Sequence, residues 1–96
     1  MKKYELAWDN SFKRSFKRLT KNNNDLKSKI IETLELLQEN PYNPKLKTHK
    51  LQGKLKNLFA SIVEYDCRII FTFTVNPENN DQVIALIDIG THDNVY

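Results

Sequence analysis

Residues 57–75, NLFASIVEYDCRIIFTFTV, decide the fold of this chain, because β-branched and aromatic residues dominate them. They divide into two apolar segments, 57–66 and 67–75. A third segment of the same kind, QVIALIDIG at residues 82–90, follows the turn-forming run NPENND. Connections this short favour an antiparallel meander. The C-terminal part therefore predicts three consecutive strands.

The N-terminal part predicts a strand followed by two helices. In KYELAW, residues 3–8, the residues Tyr4, Leu6 and Trp8 alternate onto one face. Two further segments have apolar residues at helical spacing: Phe12, Phe16 and Leu19 in the first, and Leu26, Ile30, Leu34 and Leu37 in the second. Asn24 or Asp25 is expected to cap the second helix. Two amphipathic helices joined by a short turn form a hairpin that needs a sheet to cover.

These elements predict an α+β protein of order β-α-α-β-β-β, with the helical hairpin on one face of a mainly antiparallel sheet. The lysine-rich segment 45–56 allows an additional short strand near His49. A chain of 96 residues has no room for a second core, so residues 1–96 are expected to form a single small domain. The uncovered sheet face and its loops are left for function.

Several function classes do not fit the composition. No apolar run is long enough to span a membrane, and the N-terminus lacks an apolar signal region, so we expect a cytoplasmic protein. The single Cys67 rules out an internal disulfide and a cysteine metal cage. Motifs of Gly-rich phosphate loops, zinc proteases and hydrolase elbows do not occur. No cofactor is expected, and nothing in the spacing of the two histidines, Asp66 and Asp93 requires a metal.

Charge is unevenly distributed along the chain. Residues 1–56 hold fourteen of the fifteen Lys and Arg residues but only six of the twelve acidic ones. This asymmetry is compatible with a surface that faces a polyanion, or simply with solvated helix faces. Five lysines follow the second helix and are candidate contacts for a nucleic-acid backbone: Lys45, Lys47, Lys50, Lys54 and Lys56.

The candidate reactive residues are His49, Asp66, Arg68, His92 and Tyr96. This set suits metal-independent RNA cleavage through the 2′-hydroxyl, because histidine serves as acid or base near neutral pH and arginine stabilises a crowded phosphate. The residues have ordinary structural interpretations as well. The histidines can be solvated loop or capping residues, Arg68 can pair with Asp66 or Glu64, and Tyr96 can belong to an unstructured end.

The pattern HKLQGKLKNLFASIVEYDCRIIFTF…IALIDIGTHDNVY resembles the RelE/ParE superfamily of toxins from type II toxin–antitoxin systems, most nearly its YafQ-like branch. The H-x-L-x-G step, the Y-D-x-R-I-I-F strand and the terminal G-T-H-x-x-x-Y follow one another in the expected order. The resemblance implies a messenger RNA endonuclease that acts in the ribosomal A site. It also implies a cognate antitoxin protein as partner.

The resemblance further implies roles for single residues. His49 and His92 match histidines that transfer protons, Asp66 matches an acid that orients or tunes a histidine, and Arg68 matches an arginine that holds the scissile phosphate. Tyr96 matches a terminal aromatic residue that stacks on a base.

The chain departs from the family pattern at several positions. FASIVEY lacks a further histidine, Cys67 replaces an aromatic residue, and Asp88 lies near an expected basic position. Ser61 or Val63 stands where other members have a lysine. Two alternatives therefore stay open, a ParE-like toxin that inhibits DNA gyrase and a degenerate member that only binds an antitoxin.

Overall fold

The computed structural model describes residues 3–53 and 57–91, which form one sheet and two helices. The helices are α1 (Asn10–Thr20) and α2 (Asn24–Glu39), and a short 3-10 turn follows at Pro44–Leu46. The strands are β1 (Glu5–Trp8), β2 (His49–Lys50), β3 (Phe59–Glu64), β4 (Cys67–Val75) and β5 (Gln82–Gly90).

The five strands form a mixed sheet in the order β1-β5-β4-β3-β2. β1 runs parallel to β5, and the other three pairings are antiparallel. The predicted meander of β3, β4 and β5 is confirmed, as is the additional strand beginning at His49. The predicted α+β class and the mainly antiparallel sheet are also confirmed.

Both helices lie on one face of this sheet because each carries an apolar stripe. α1 buries Phe12 and Ser15. α2 buries four residues on one side: Ile30, Thr33, Leu34 and Leu37. The predicted caps of α2 are wrong by one or two residues, since Asn23 caps the helix and its Oδ1 accepts from Leu26 N at 3.1 Å. None of the helices in the described residues is long and apolar enough to cross a membrane.

The two faces of the sheet carry unequal apolar clusters. On the helix-covered face, eleven buried residues, among them Phe12, Leu37 and Phe71, form the main core. On the other face, Leu51, Ala60 and Ile70 form a small cluster with Leu58 and Ile87 packed beside it. We call this second side the open face. Its cluster forms the floor of the candidate site.

Candidate functional site

Strand register places His49 and Arg68 on the open face. His49 lies opposite Ala60, which lies opposite Ile70, and directly paired residues project to the same side of a sheet. Arg68 precedes Ile70 by two residues and therefore also points to the open face. The structure thus brings these two predicted residues to one surface above an apolar floor.

The distance between the two follows from sheet geometry. Two strand spacings separate β2 from β4. His49, Ala60 and Ile70 lie opposite one another on β2, β3 and β4, and Arg68 is two residues from Ile70 along β4. With strands about 4.8 Å apart and a rise of about 3.3 Å per residue, the Cα atoms lie about 12 Å apart. This spacing is between Cα atoms; the Arg68 guanidinium itself is held at the β3–β4 turn.

The local backbone determines which nitrogen of His49 carries the proton. Its Nδ1 lies 3.1 Å from the carbonyl oxygen of Lys47. Because a carbonyl oxygen only accepts hydrogen bonds, Nδ1 must be the donor, and the neutral ring then has its lone pair on Nε2. The side chain is exposed. His49 is therefore arranged to accept a proton through Nε2.

The residues around His49 fix this strand in place. Thr48 Oγ1 lies 2.6 Å from the hydroxyl of Ser61, which is fully buried, and it also donates to the carbonyl of Pro41. Lys47 adopts a left-handed backbone with φ +49°, and Gly53, the glycine of the H-x-L-x-G step, has φ +70°. These contacts orient the Lys47 carbonyl that binds His49.

Arg68 is anchored at the β3–β4 turn through one nitrogen. Its Nη1 donates to the carbonyls of Glu64 (2.9 Å), Tyr65 (2.7 Å) and Cys67 (3.4 Å). Within residues 3–53 and 57–91, it makes no ion pair with the carboxylates of Glu64 or Asp66. Its Nε and Nη2 make no hydrogen bond there, which leaves one edge of the guanidinium to face a phosphate.

Asp66 lies beside Arg68 and away from His49. It is exposed at the turn between β3 and β4. His49 pairs with Ala60 of β3. Glu64, the last residue of β3, is about 13 Å from Ala60 along that strand. Asp66 therefore does not orient His49, which binds the Lys47 carbonyl instead.

The remaining candidate residues divide into two groups. Lys45, Lys47 and Lys50 are exposed on the segment that carries His49. Four others lie outside the described residues: Lys54, Lys56, His92 and Tyr96. β5 ends at Gly90, directly opposite Arg68, two residues before His92 in the sequence.

Two departures from the family pattern have a structural explanation. Ser61 is buried against Thr48, and Val63 packs on the main core, so neither reaches the open face. Asp88 accepts from the hydroxyl of Ser15 at 2.6 Å and from the backbone N–H of Ile89 at 2.8 Å. Its carboxylate therefore joins α1 to β5.

Cys67 is not a candidate nucleophile. Its side chain is 5% exposed and belongs to the main core. Burial raises the pKa of the thiol from 9.0 to about 11, with the nearby charge of Glu64 acting in the same direction. The reactive thiolate is therefore scarce at neutral pH.

Sequence reasoning missed the residues that orient the site. The position of the Lys47 carbonyl and the contact between Thr48 and buried Ser61 depend on how the 3-10 turn leads into β2. No motif marks that geometry, although the H-x-L-x-G step marked the segment. In the described part of the chain, no three His, Cys, Asp or Glu residues lie together as possible metal ligands.

Residues 4–96 match the family model described as "Bacterial toxin of type II toxin-antitoxin system, YafQ". No curated protein matches the chain.

Solved structures share the fold at low sequence identity. YafQ from E. coli strain BL21(DE3) is 21% identical, with a TM-score of 0.76 over 97% of this chain and 98% of that one. A YoeB/ParE toxin from Agrobacterium tumefaciens is 15% identical, with a TM-score of 0.77 over 92% of this chain and 98% of that one. The E. coli DinJ–YafQ complex contains a chain that is 22% identical, with a TM-score of 0.72 over 97% of this chain and 98% of that one.

Proposed function

Because this chain belongs to the YafQ family of toxins from type II toxin–antitoxin systems, we propose that it is a ribosome-dependent messenger RNA endonuclease that needs no metal. The observation that carries the proposal is the pair on the open face. His49 has an Nε2 able to accept a proton, and Arg68 has a guanidinium edge without a protein partner in the described residues. This pair suits phosphodiester chemistry.

The proposed reaction begins with attack by a ribose 2′-hydroxyl. His49 Nε2 accepts its proton as the 2′-oxygen forms a bond to phosphorus. Arg68 binds the phosphate oxygens as charge builds up, with hydrogen bonds from Nε and Nη2. The bond between phosphorus and the 5′-oxygen then breaks, which leaves a cyclic phosphate on one fragment. A proton supplied by His92 converts the leaving oxygen to a 5′-hydroxyl.

The other candidate residues have supporting roles in this proposal. Asp66, adjacent in sequence to the Arg68 strand, tunes His92 rather than His49. The Tyr96 ring stacks on a base. The five lysines between Lys45 and Lys56 hold the RNA backbone without reading its sequence.

A second basic surface supports action inside a ribonucleoprotein. The outer side of α1 exposes four cationic side chains: Lys13, Arg14, Lys17 and Arg18. Since α1 covers the sheet face opposite the open face, cationic side chains lie on two sides of the molecule. A large ribonucleoprotein such as the ribosome can contact both sides at once through its phosphates.

We further propose a cognate antitoxin as the partner that silences this activity. Its support is the solved complex of a similar toxin, the E. coli DinJ–YafQ complex.

Transcript mapping after induction tests the proposed function. We expect messages to be cut at codon positions in induced cells, and the cuts to disappear when translation of the reporter is blocked. His49→Ala is expected to slow cleavage about 10²–10⁴-fold, as for a lost general base, and Arg68→Ala about 10²–10³-fold. Because His49 is exposed, its variant should fold, which circular dichroism can verify.

Matched variants and alternative outcomes make the test decisive. Lys27→Ala removes an exposed cation of α2, outside both basic surfaces, and should leave cleavage unchanged. His92→Ala tests the proposed acid. Intact messages together with DNA damage and filamentation would instead indicate gyrase inhibition. Growth and messages that both stay normal would indicate a member that only binds an antitoxin.

A further inference from the structure

Tyr65 is the most exposed of the large apolar side chains in the described part of the chain. Its relative exposure is 89%, against 59% for Tyr42 and 51% for Val75. It occupies the two-residue turn between β3 and β4, next to Asp66. An isolated exposed tyrosine is common, so exposure alone assigns it no role.

The turn that carries Tyr65 is fixed onto Arg68. The Arg68 Nη1 donates at 2.7 Å to the carbonyl of Tyr65 itself and at 2.9 Å to that of Glu64. Tight hairpin turns usually need residues with positive φ, but neither Tyr65 nor Asp66 has one. The guanidinium therefore stabilises a turn that lacks the usual turn residues. It keeps the Tyr65 backbone in contact with the residue proposed to hold phosphate.

Local charge around Tyr65 is balanced. Lys29 Nζ lies 3.3 Å from Glu64 Oε1, and the opposite charges of Asp66 and Arg68 lie two residues apart. The turn therefore has no excess of positive charge to attract further phosphates. An exposed ring in such a setting is suited to the flat face of a base, since RNA-binding proteins stack unpaired bases on aromatic side chains.

We propose that Tyr65 is a stacking platform for an unpaired RNA base next to the phosphate bound by Arg68. The inference rests on the proposed function for its ligand and adds a contact that specifies where the RNA chain lies. Arg68 then has two tasks, because Nη1 positions the platform while Nε and Nη2 bind the phosphate. A base held at a fixed distance from the scissile phosphate selects an RNA conformation in which that base is unstacked from its neighbours.

Fluorescence of 2-aminopurine in uncleavable RNA tests this stacking. The probe is a short RNA with 2′-O-methyl groups throughout and 2-aminopurine at successive positions, either free or placed in the A site of ribosomes. We expect the wild-type protein to quench the fluorophore at one position that stays quenched in Tyr96→Ala, which distinguishes it from the base proposed to stack on Tyr96. Tyr65→Ala should abolish this quenching and weaken binding about 5- to 150-fold, the range found for loss of one stacked base. Tyr65→Phe retains the ring and should behave as wild type.

Tyr42→Ala is the matched control. Tyr42 is another exposed tyrosine, but it lines a groove of about 330 Å³ with Tyr4 and Phe73. That groove includes Thr74 and Val75, at the other end of β4 and about 20 Å from Arg68. Its removal should leave quenching and affinity unchanged.

The outcomes separate this inference from the proposed function. Equal quenching and affinity in Tyr65→Ala and wild type would overturn the stacking role, even if transcripts are cleaved. The absence of quenching at every position with wild-type protein would overturn it as well. Tyr65-dependent quenching in a protein that cleaves no transcript would retain the base platform and refute the endonuclease.

Discussion

The two faces of the sheet divide stability from chemistry. The helix-covered face buries large side chains from both helices and from β4 and β5, including Phe12, Leu37 and Phe71 at 0% exposure. The open face has a small cluster of three buried residues, Leu51, Ala60 and Ile70, and is bordered by exposed His49. The contrast indicates that residues on the open face can be substituted with a smaller loss of stability than residues of the main core. Such freedom is what allows function to vary on a shared scaffold.

Matched leucine truncations test this contrast most strongly. Leu37→Ala, in the main core, should lower the free energy of unfolding by about 3–5 kcal/mol, because the packed helix and sheet cannot close around the cavity. Leu51→Ala, on the open face, should cost about 2 kcal/mol or less, because the chain there can relax. Urea denaturation measures both. Equal losses would contradict the division between the faces.

The second prediction concerns the link between α1 and β5. Asp88→Ala removes the acceptor of the Ser15 hydroxyl and of the Ile89 amide. The free energy of unfolding should therefore fall by about 1–3 kcal/mol. A double-mutant cycle with Ser15→Ala isolates the hydroxyl bond, and Asp88→Asn keeps an acceptor oxygen. Additive losses in the cycle would mean that the two side chains do not interact.

The third prediction uses the pKa of Cys67. Burial raises that pKa from 9.0 to about 11, so the folded protein retains the thiol proton at a pH where the unfolded chain has lost it. The contribution of this group is complete below pH 9 and is lost as the pH rises toward about 11. When the pH is raised from about 8 to about 10.5, we expect the urea midpoint to fall further in the wild type than in Cys67→Ala. Equal falls would show that the thiol does not contribute.

The smallest effect is expected for the ion pair between Lys29 of α2 and Glu64 of β3. Both side chains are about half exposed, at 50% and 43%. Lys29→Met should therefore change stability by at most about 1 kcal/mol, and added salt should reduce the difference. A larger, salt-independent loss would mean that the lysine stem packs against the sheet and that its charge is secondary.

Much of the fold was predictable because it depends on local periodicity. The alternating segments after residue 57 became β3, β4 and β5, and the stripes beginning at Phe12 and Leu26 became α1 and α2. The cap of α2 was missed because Asn23, Asn24 and Asp25 offer similar side chains, and only the backbone angles select Asn23. The parallel pairing of β1 with β5 joins distant parts of the chain and has no local signal.

The candidate site was predictable in its residue types but only partly in its arrangement. Histidine and arginine chemistry, with the family resemblance, indicated His49 and Arg68. Their shared face depends on strand register, and the proton position on His49 depends on the Lys47 carbonyl. The expected coupling of Asp66 to a histidine remains a prediction for His92.

The sequence by itself determined the class of fold and the chemical groups available, because periodicity and side-chain type are properties of short segments. It also predicted that the β-forming residues 57–75 make two consecutive strands. Only the tertiary structure decided that Ser61 and Val63 face the helices. It also decided that Arg68 uses one nitrogen to bind the β3–β4 turn, which holds Tyr65 beside it. The physical reason is that a one-residue change of register would reverse every side chain on a strand, and register is set by contacts between distant segments.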